Sequence, residues 1–108
     1  MRLKEAEIKI LLESLSPYFK DSHGKLYLFG SRINDHAKGG DIDLLIMTEL
    51  KTKKLLREKQ GAILVGIHKK IGDRKIDFTI ATPEDAQTAP FIKAILTTAI
   101  LLKEWQRS

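Results

Sequence analysis

The sequence predicts a small α/β or α+β domain in which a mixed β-sheet is flanked by helices. Segments whose apolar residues have helical spacing alternate along the chain with short apolar segments of strand character. The chain has 108 residues, the usual length of one domain, and 43% of them are hydrophobic, which is enough for one modest core. We therefore expect a single domain over residues 1–108, in the order helix, strand, short helix, strand, helix, strand, helix.

The first half of the chain is predicted to contain an amphipathic helix and two strands. The helix ends before Pro17 and packs one stripe inward, formed by Ile8, Leu11, Leu12 and Leu15. Residues 25–29 indicate a first strand that is largely buried, and residues 41–47 indicate a second. Between them, Ser31 is a good N-cap for a short helix.

The second half is predicted to contain a long helix, a third strand and a last helix. Thr52 is expected to cap the long helix, whose inner face is Leu56, Ile63, Leu64, Ile67 and Ile71. Residues 75–80 form the third strand, and the run from Thr82 to Asp85 combines a cap, a proline and two acids at a helix start. Pro90 opens the last helix, whose inward residues are Ile92, Ile95, Leu96, Ala99 and Leu102.

Composition narrows the class of protein and of partner. Lysine and arginine number 19 against 14 acids, a formal net charge of +5 that favours anionic partners such as nucleotides or nucleic acid. The absence of cysteine excludes a disulfide scaffold and any cysteine-ligated metal site. Because no signal peptide and no apolar run of about 18 residues is found, we expect a cytoplasmic protein without a membrane span.

Three aspartates on two predicted strands indicate a metal site. Alternate strand residues share a face, so Asp41 and Asp43 lie together, opposite the apolar residues of their strand. Asp77 is placed in the same way on the third strand. If the two strands are neighbours, the three carboxylates converge and repel one another. A hard divalent cation that prefers oxygen ligands, most simply Mg²⁺, would remove that repulsion.

The Gly30-Ser31 pair after the first strand indicates an anion site. Glycine permits close backbone approach, and a helix that starts at Ser31 directs free N–H groups at a bound anion. Arg32 and Lys38 add positive charge nearby. A phosphate site beside a carboxylate metal site is the combination that nucleotidyl transfer requires, with two metal ions supporting an in-line displacement at the α-phosphate.

These residues give the chain a family resemblance. Gly30-Ser31, the spacer that follows, Asp41-Ile42-Asp43 and the later Asp77 resemble the DNA polymerase beta-type nucleotidyltransferase superfamily. More narrowly, the chain is similar to minimal nucleotidyltransferases that pair with a HEPN-domain protein as a toxin–antitoxin module. The resemblance covers almost the whole chain and implies the polymerase beta-like fold.

The resemblance also implies roles for individual residues. Gly30, Ser31 and Arg32 would bind the phosphates of ATP, and Asp41, Asp43 and Asp77 would bind Mg²⁺, with Asp77 nearest the acceptor hydroxyl. In such relatives AMP is transferred from ATP to a tyrosine of the HEPN partner and silences it. The chain is therefore expected to be an Mg²⁺-dependent protein adenylyltransferase that acts as an antitoxin.

Two other functions stay open on the sequence. One is neutralisation of the partner by binding alone, and the other is transfer of nucleotides to RNA, although nucleic acid is the less favoured partner. Two basic clusters are interpreted first as solvated helix surface: Lys51, Lys53, Lys54, Arg57 and Lys59, then Lys69, Lys70, Arg74 and Lys75. The last helix has more apolar residues than one stripe needs, which favours either deep burial or a surface for a partner or a second copy of the chain.

Overall fold

A computed structural model of the chain describes residues 4–30, 42–72 and 74–106. Its elements, in chain order, are α1 (Glu5–Leu15), a short 3₁₀ helix (Ser16–Phe19), β1 (Gly24–Phe29), β2 (Ile42–Thr48), α2 (Leu50–Ile71), β3 (Ile76–Ala81), α3 (Pro83–Thr88), α4 (Pro90–Thr98) and β4 (Ile100–Trp105). The four strands described form one sheet in the order β3-β2-β1-β4. Only β2 and β3 run parallel, so the sheet is mixed. The predicted small α+β fold is confirmed.

The main core lies between one face of the sheet and the helices α1 and α2. Strand alternation directs Ile42, Leu44 and Ile46 of β2 to this face, where all three are fully buried. The predicted inward stripes are confirmed, with Leu11 and Leu15 of α1 buried and Ile8 and Leu12 packed beside them. From α2 the same core receives Leu56, Ile63 and Ile67, with Leu64 and Ile71 at its margin.

Among the described residues, the helix pair α3 and α4 packs on the opposite face of the sheet. A second cluster forms there from Leu45, Ala81, Ile92 and Ile95. The predicted start of α3 is confirmed, because the Thr82 hydroxyl accepts from the Asp85 backbone N–H while the Asp85 carboxylate accepts from the Thr82 N–H.

The predicted last helix is wrong beyond Thr98. Residues from Ile100 to Trp105 form β4, which pairs antiparallel with β1, and Ala99 links it to α4. The Trp105 indole donates to Ser16 Oγ at 3.0 Å and stacks on Phe19 with ring centroids 4.2 Å apart. Pairing with the edge of β1 and the contacts of Trp105 favour a strand here, although the spacing of the apolar residues also suits a helix. The apolar residues that suggested an association surface on a last helix therefore lie on a strand, where Leu101 is 47% exposed.

Smaller differences concern the ends of elements. Thr52 does not cap α2, which begins two residues earlier with Glu49 at the N-cap position. Thr52 is instead buried in the first turn, and its hydroxyl donates to Ser22 Oγ at 2.6 Å. The short helix predicted from Ser31 lies outside the described residues. Within those residues, no helix has the length and apolar character that crossing a bilayer requires.

Candidate functional site

Two of the predicted carboxylates lie side by side on the sheet. Asp43 of β2 and Asp77 of β3 are directly paired in the parallel register. Their neighbours Leu44 and Phe78 pack into the main core, so both aspartates lie on the opposite face. Neighbouring strands are about 4.8 Å apart, which is close enough for two carboxylates to share one cation. The convergence that strand alternation predicts is therefore present for these two residues.

The two carboxylates have different surroundings. Asp43 is half-buried near the start of an interior strand, whereas the Asp77 side chain on the edge strand is 52% exposed. Lys75, two residues earlier on the same side of β3, places its Nζ 4.0 Å from Asp77 Oδ2. The site is thus open to solvent on the side of β3 and enclosed on the side of β1.

Gly30 forms the enclosing side at the end of β1. Phe29 is the register partner of Asp43, so the next residue passes close to the Asp43 carboxylate. Gly30 has a φ of +77°, and a Cβ added to it would lie 2.5 Å from Asp43 Oδ2. Glycine is therefore required twice, for its backbone conformation and for the space that the carboxylate occupies. The sequence indicated a close approach at Gly30 but not that its nearest neighbour is Asp43.

The remaining predicted site residues lie outside the part of the chain that the structure describes. They are Ser31, Arg32 and Asp41, together with Lys38. Gly30 and Ile42, which border this segment, both lie at the same edge of the sheet as Asp43. Among residues 4–30, 42–72 and 74–106, no group of three histidines, aspartates or glutamates forms a metal site. Asp43 and Asp77 are the two of the three predicted ligands that the structure describes.

An ion pair that the sequence did not indicate joins α1 to the start of β3. The Arg74 guanidinium donates to a Glu7 carboxylate oxygen, and Glu7 also accepts from the Lys4 backbone N–H. Burial raises the pKa of Glu7, but the Lys4 N–H and Arg74 outweigh it, so this pKa lies below its usual value. The pair fixes the segment that enters β3 three residues before Asp77.

A second ion pair joins α2 to α3. Lys53 was predicted to be solvated helix surface, but its Nζ donates to Asp85 Oδ2 at 2.8 Å. The hydrogen bond from Lys53, with the Thr82 backbone N–H, lowers the pKa of Asp85 to about 2. Asp85 also caps α3. This contact therefore helps to position α3 and α4, which pack on the same face of the sheet as Asp43 and Asp77.

Comparison with known proteins agrees with this arrangement. The family model described as a nucleotidyltransferase domain matches residues 8–102, which include Gly30, Asp43 and Asp77. The chain belongs to the nucleotidyltransferase domain family. Its resemblance to the polymerase beta-type superfamily is thereby confirmed, and membership supports nucleotidyl transfer as its general chemistry. No curated protein matches the chain.

The side chains present suit the divalent ion that nucleotidyltransferase domains use. Asp43 and Asp77 offer up to four carboxylate oxygens from adjacent register positions, and oxygen is the donor that Mg²⁺ prefers. Gly30 leaves the Asp43 carboxylate the room that any larger residue would fill. The pair therefore fits a hard divalent cation, with Asp41 as the predicted third ligand.

Proposed function

We propose that this nucleotidyltransferase domain transfers AMP from ATP, with Mg²⁺, to a tyrosine hydroxyl of a HEPN-type partner protein and so acts as an antitoxin. The observation that carries the proposal is the pairing of Asp43 with Asp77 on the face of the sheet opposite the main core, with Gly30 against the Asp43 carboxylate. A carboxylate pair beside a glycine turn supports phosphate transfer, since the reaction needs a metal and a close approach to phosphate oxygens.

Each predicted residue has a distinct role in this reaction. Asp41, Asp43 and Asp77 hold Mg²⁺, two ions in our proposal, which neutralises charge on the phosphates and lowers the pKa of an oxygen bound to it. The Gly30 backbone, Ser31 and Arg32 bind the phosphates. Asp77, the more exposed carboxylate, takes the proton of the acceptor hydroxyl. The acceptor oxygen bonds to the α-phosphorus as the bond to the bridging oxygen breaks and pyrophosphate leaves.

The transfer reaction itself tests the proposal. The chain is incubated with Mg²⁺, ATP labelled at the α-phosphate and the protein encoded in the adjacent reading frame. We expect label on the partner with the wild type and a loss of at least about 100-fold with Asp43→Asn, which removes a charged ligand while keeping the side-chain shape. Glu13→Gln is the matched control, because it also removes one exposed carboxylate, from α1 on the opposite face of the sheet. It should leave transfer unchanged.

Each alternative function has its own outcome in this experiment. Binding of the partner without labelling, unaffected by Asp43→Asn, would replace the proposal with neutralisation by binding alone. Label on RNA ends instead of on protein would indicate an RNA nucleotidyltransferase. Full transfer by Asp43→Asn would refute the assignment of Asp43 as a metal ligand.

Metal binding can be tested without the partner. If Asp43 and Asp77 hold Mg²⁺ in the folded state, Mg²⁺ at ten times its dissociation constant adds about 1.4 kcal/mol to the free energy of unfolding. The melting temperature of the wild type should therefore rise with Mg²⁺ and return when a chelator is added. Asp43→Asn and Asp77→Asn should each lose most of this rise. An equal rise in the wild type and both variants would contradict the metal assignment.

A further inference from the structure

The outward side of α2 takes no part in the proposed reaction. Its inner side packs into the main core, but its outer side exposes Leu55 at 39% and Val65 at 55%. We call this outer side, from Lys51 to Lys69, the α2 face; it consists of Lys51, Lys54, Leu55, Arg57, Glu58, Lys59, Ala62, Val65 and Lys69. At 1.5 Å per residue it is about 27 Å long, a narrow and straight surface.

The cations at the start of α2 oppose the stability of the helix. The positive end of a helix dipole disfavours a cation by about 0.3–1 kcal/mol, yet the first two turns of α2 carry four cations and no acid, since Glu49 precedes the helix. Lys53 is compensated by Asp85 at 2.8 Å. Within the described residues, Lys51, Lys54 and Arg57 make no hydrogen bond or ion pair. Their charge is therefore available to a negatively charged partner.

A groove lies beside this basic segment. It runs between the 3₁₀ helix and the first turns of α2, has a volume of about 400 Å³, and is lined in part by Pro17, Tyr18, Lys51 and Leu55. Pro17, Tyr18 and Leu55 give the groove apolar surface for one or two anchoring side chains next to Lys51, and the rest of its lining is polar and includes Asp21. The α2 face therefore combines an apolar attachment point with positive charge.

The distribution of charge along the α2 face decides between occupants. Both ends are basic, with Lys51, Lys54 and Arg57 at one end and Lys69 at the other. A second copy of the chain would place lysines against lysines in either direction. A nucleic acid carries charge along its whole length, but residues 60–67 in the middle of the face carry none. An amphipathic helix with acidic ends and apolar residues between them complements the face throughout.

We propose that the α2 face docks an acidic amphipathic helix of the acceptor protein and holds it while the site on the opposite side of the sheet is free to act. This inference rests on the proposed function for the identity of the partner. It adds the surface that selects that partner. This surface lies away from Asp43 and Asp77, because α2 packs on the other face of the sheet.

The test reverses charge at Lys51, Lys54 and Arg57 together, each to Glu, and uses the product of the adjacent reading frame as the probe. Acids at the start of α2 suit its dipole, so this variant should fold at least as well as the wild type. The matched control reverses three exposed lysines elsewhere, Lys9, Lys93 and Lys103, and changes net charge equally. Binding is measured by titration calorimetry at two salt concentrations.

We expect the α2 variant to weaken binding at least tenfold and the control variant to leave it within threefold. Val65→Asp should also weaken binding, and higher salt should weaken the wild type but not the α2 variant. The docking proposal is overturned if both triple variants weaken binding equally, if neither does, if the wild type does not bind the probe, or if it binds RNA in place of the probe.

The catalytic variant separates this proposal from the proposed function. Asp43→Asn should bind the partner as the wild type does, because it leaves the α2 face intact. Labelling of the partner that survives reversal of Lys51, Lys54 and Arg57 would refute docking while supporting transfer. Binding that depends on these cations but never leads to labelling would support docking while refuting transfer.

Discussion

Replacing Gly30 with alanine should reduce nucleotidyl transfer far more than it reduces stability. The new Cβ would lie 2.5 Å from Asp43 Oδ2 and 3.3 Å from Asp43 Cγ. Since ordinary contact begins at 3.4 Å, the carboxylate must retreat by about 0.9 Å. Asp43 is the half-buried member of the carboxylate pair, so this displacement acts directly on a proposed metal ligand.

The two effects of Gly30→Ala have different sizes. A left-handed backbone at φ +77° costs an alanine about 1–2 kcal/mol in the free energy of unfolding. A domain with a usual stability of at least about 5 kcal/mol stays almost entirely folded after that loss. A displacement near 1 Å at a reacting centre, in contrast, lowers a rate by about 100-fold. The predicted loss of transfer is therefore not explained by unfolding.

The chain offers a matched control for backbone strain at Gly72. This glycine ends α2 with a φ of +103°, and a Cβ there would meet no atom within 4 Å. Urea denaturation should show a loss of stability for both Gly72→Ala and Gly30→Ala, whereas transfer of α-labelled phosphate should fall about 100-fold only for Gly30→Ala. Transfer by folded Gly30→Ala within threefold of the wild type would refute the argument that Gly30 positions Asp43.

Two further predictions concern stability. Gly61→Ala and Gly66→Ala should each raise the free energy of unfolding by about 0.5–1 kcal/mol, because alanine favours a helix more than glycine does. A Cβ at either position meets no atom within 4 Å, so no clash offsets this gain. A loss of stability in urea denaturation would contradict the prediction. Asp85→Asn should lower the melting temperature at pH 7, because hydrogen bonding to Lys53 holds the pKa of Asp85 at about 2 against a usual 3.8. The stabilisation by ionised Asp85 is complete above the usual pKa and is lost as pH falls through the pKa of the folded state. The melting temperatures of wild type and variant should therefore converge between about pH 4 and pH 2. A difference in melting temperature that stays constant over this range would contradict the prediction.

The position of the carboxylates was predictable because it depends on a local property of strands. A period of two residues places Asp43 opposite Leu44 and Asp77 opposite Phe78, whatever the rest of the fold does. The apolar residues then choose the buried face, which leaves the aspartates on the other. Strand ends moved by only one residue, which does not alter this periodicity.

The predictions that failed depend on contacts between distant parts of the chain. Ala99 and Leu102 satisfy helical spacing with Ile95, and the adjoining apolar run equally suits a strand. Pairing with the edge of β1 makes this segment a strand, and so does the hydrogen bond from Trp105 to Ser16, which lies 89 residues earlier in the chain. The pairing of Arg74 with Glu7, 67 residues apart, is likewise invisible in a linear sequence.

The direction of the β2–β3 pair explains why the site needs α2. Parallel strands require a crossover, and α2 supplies it by returning the chain to the edge at which β2 begins. Asp43 and Asp77, each the second residue of its strand, thereby become register partners. In an antiparallel pair of the same strands, Asp77 would lie near Met47, about 13 Å from Asp43 at 3.3 Å per residue. Because the crossover also packs α2 on the opposite face, the same helix that aligns the carboxylates does not cover them.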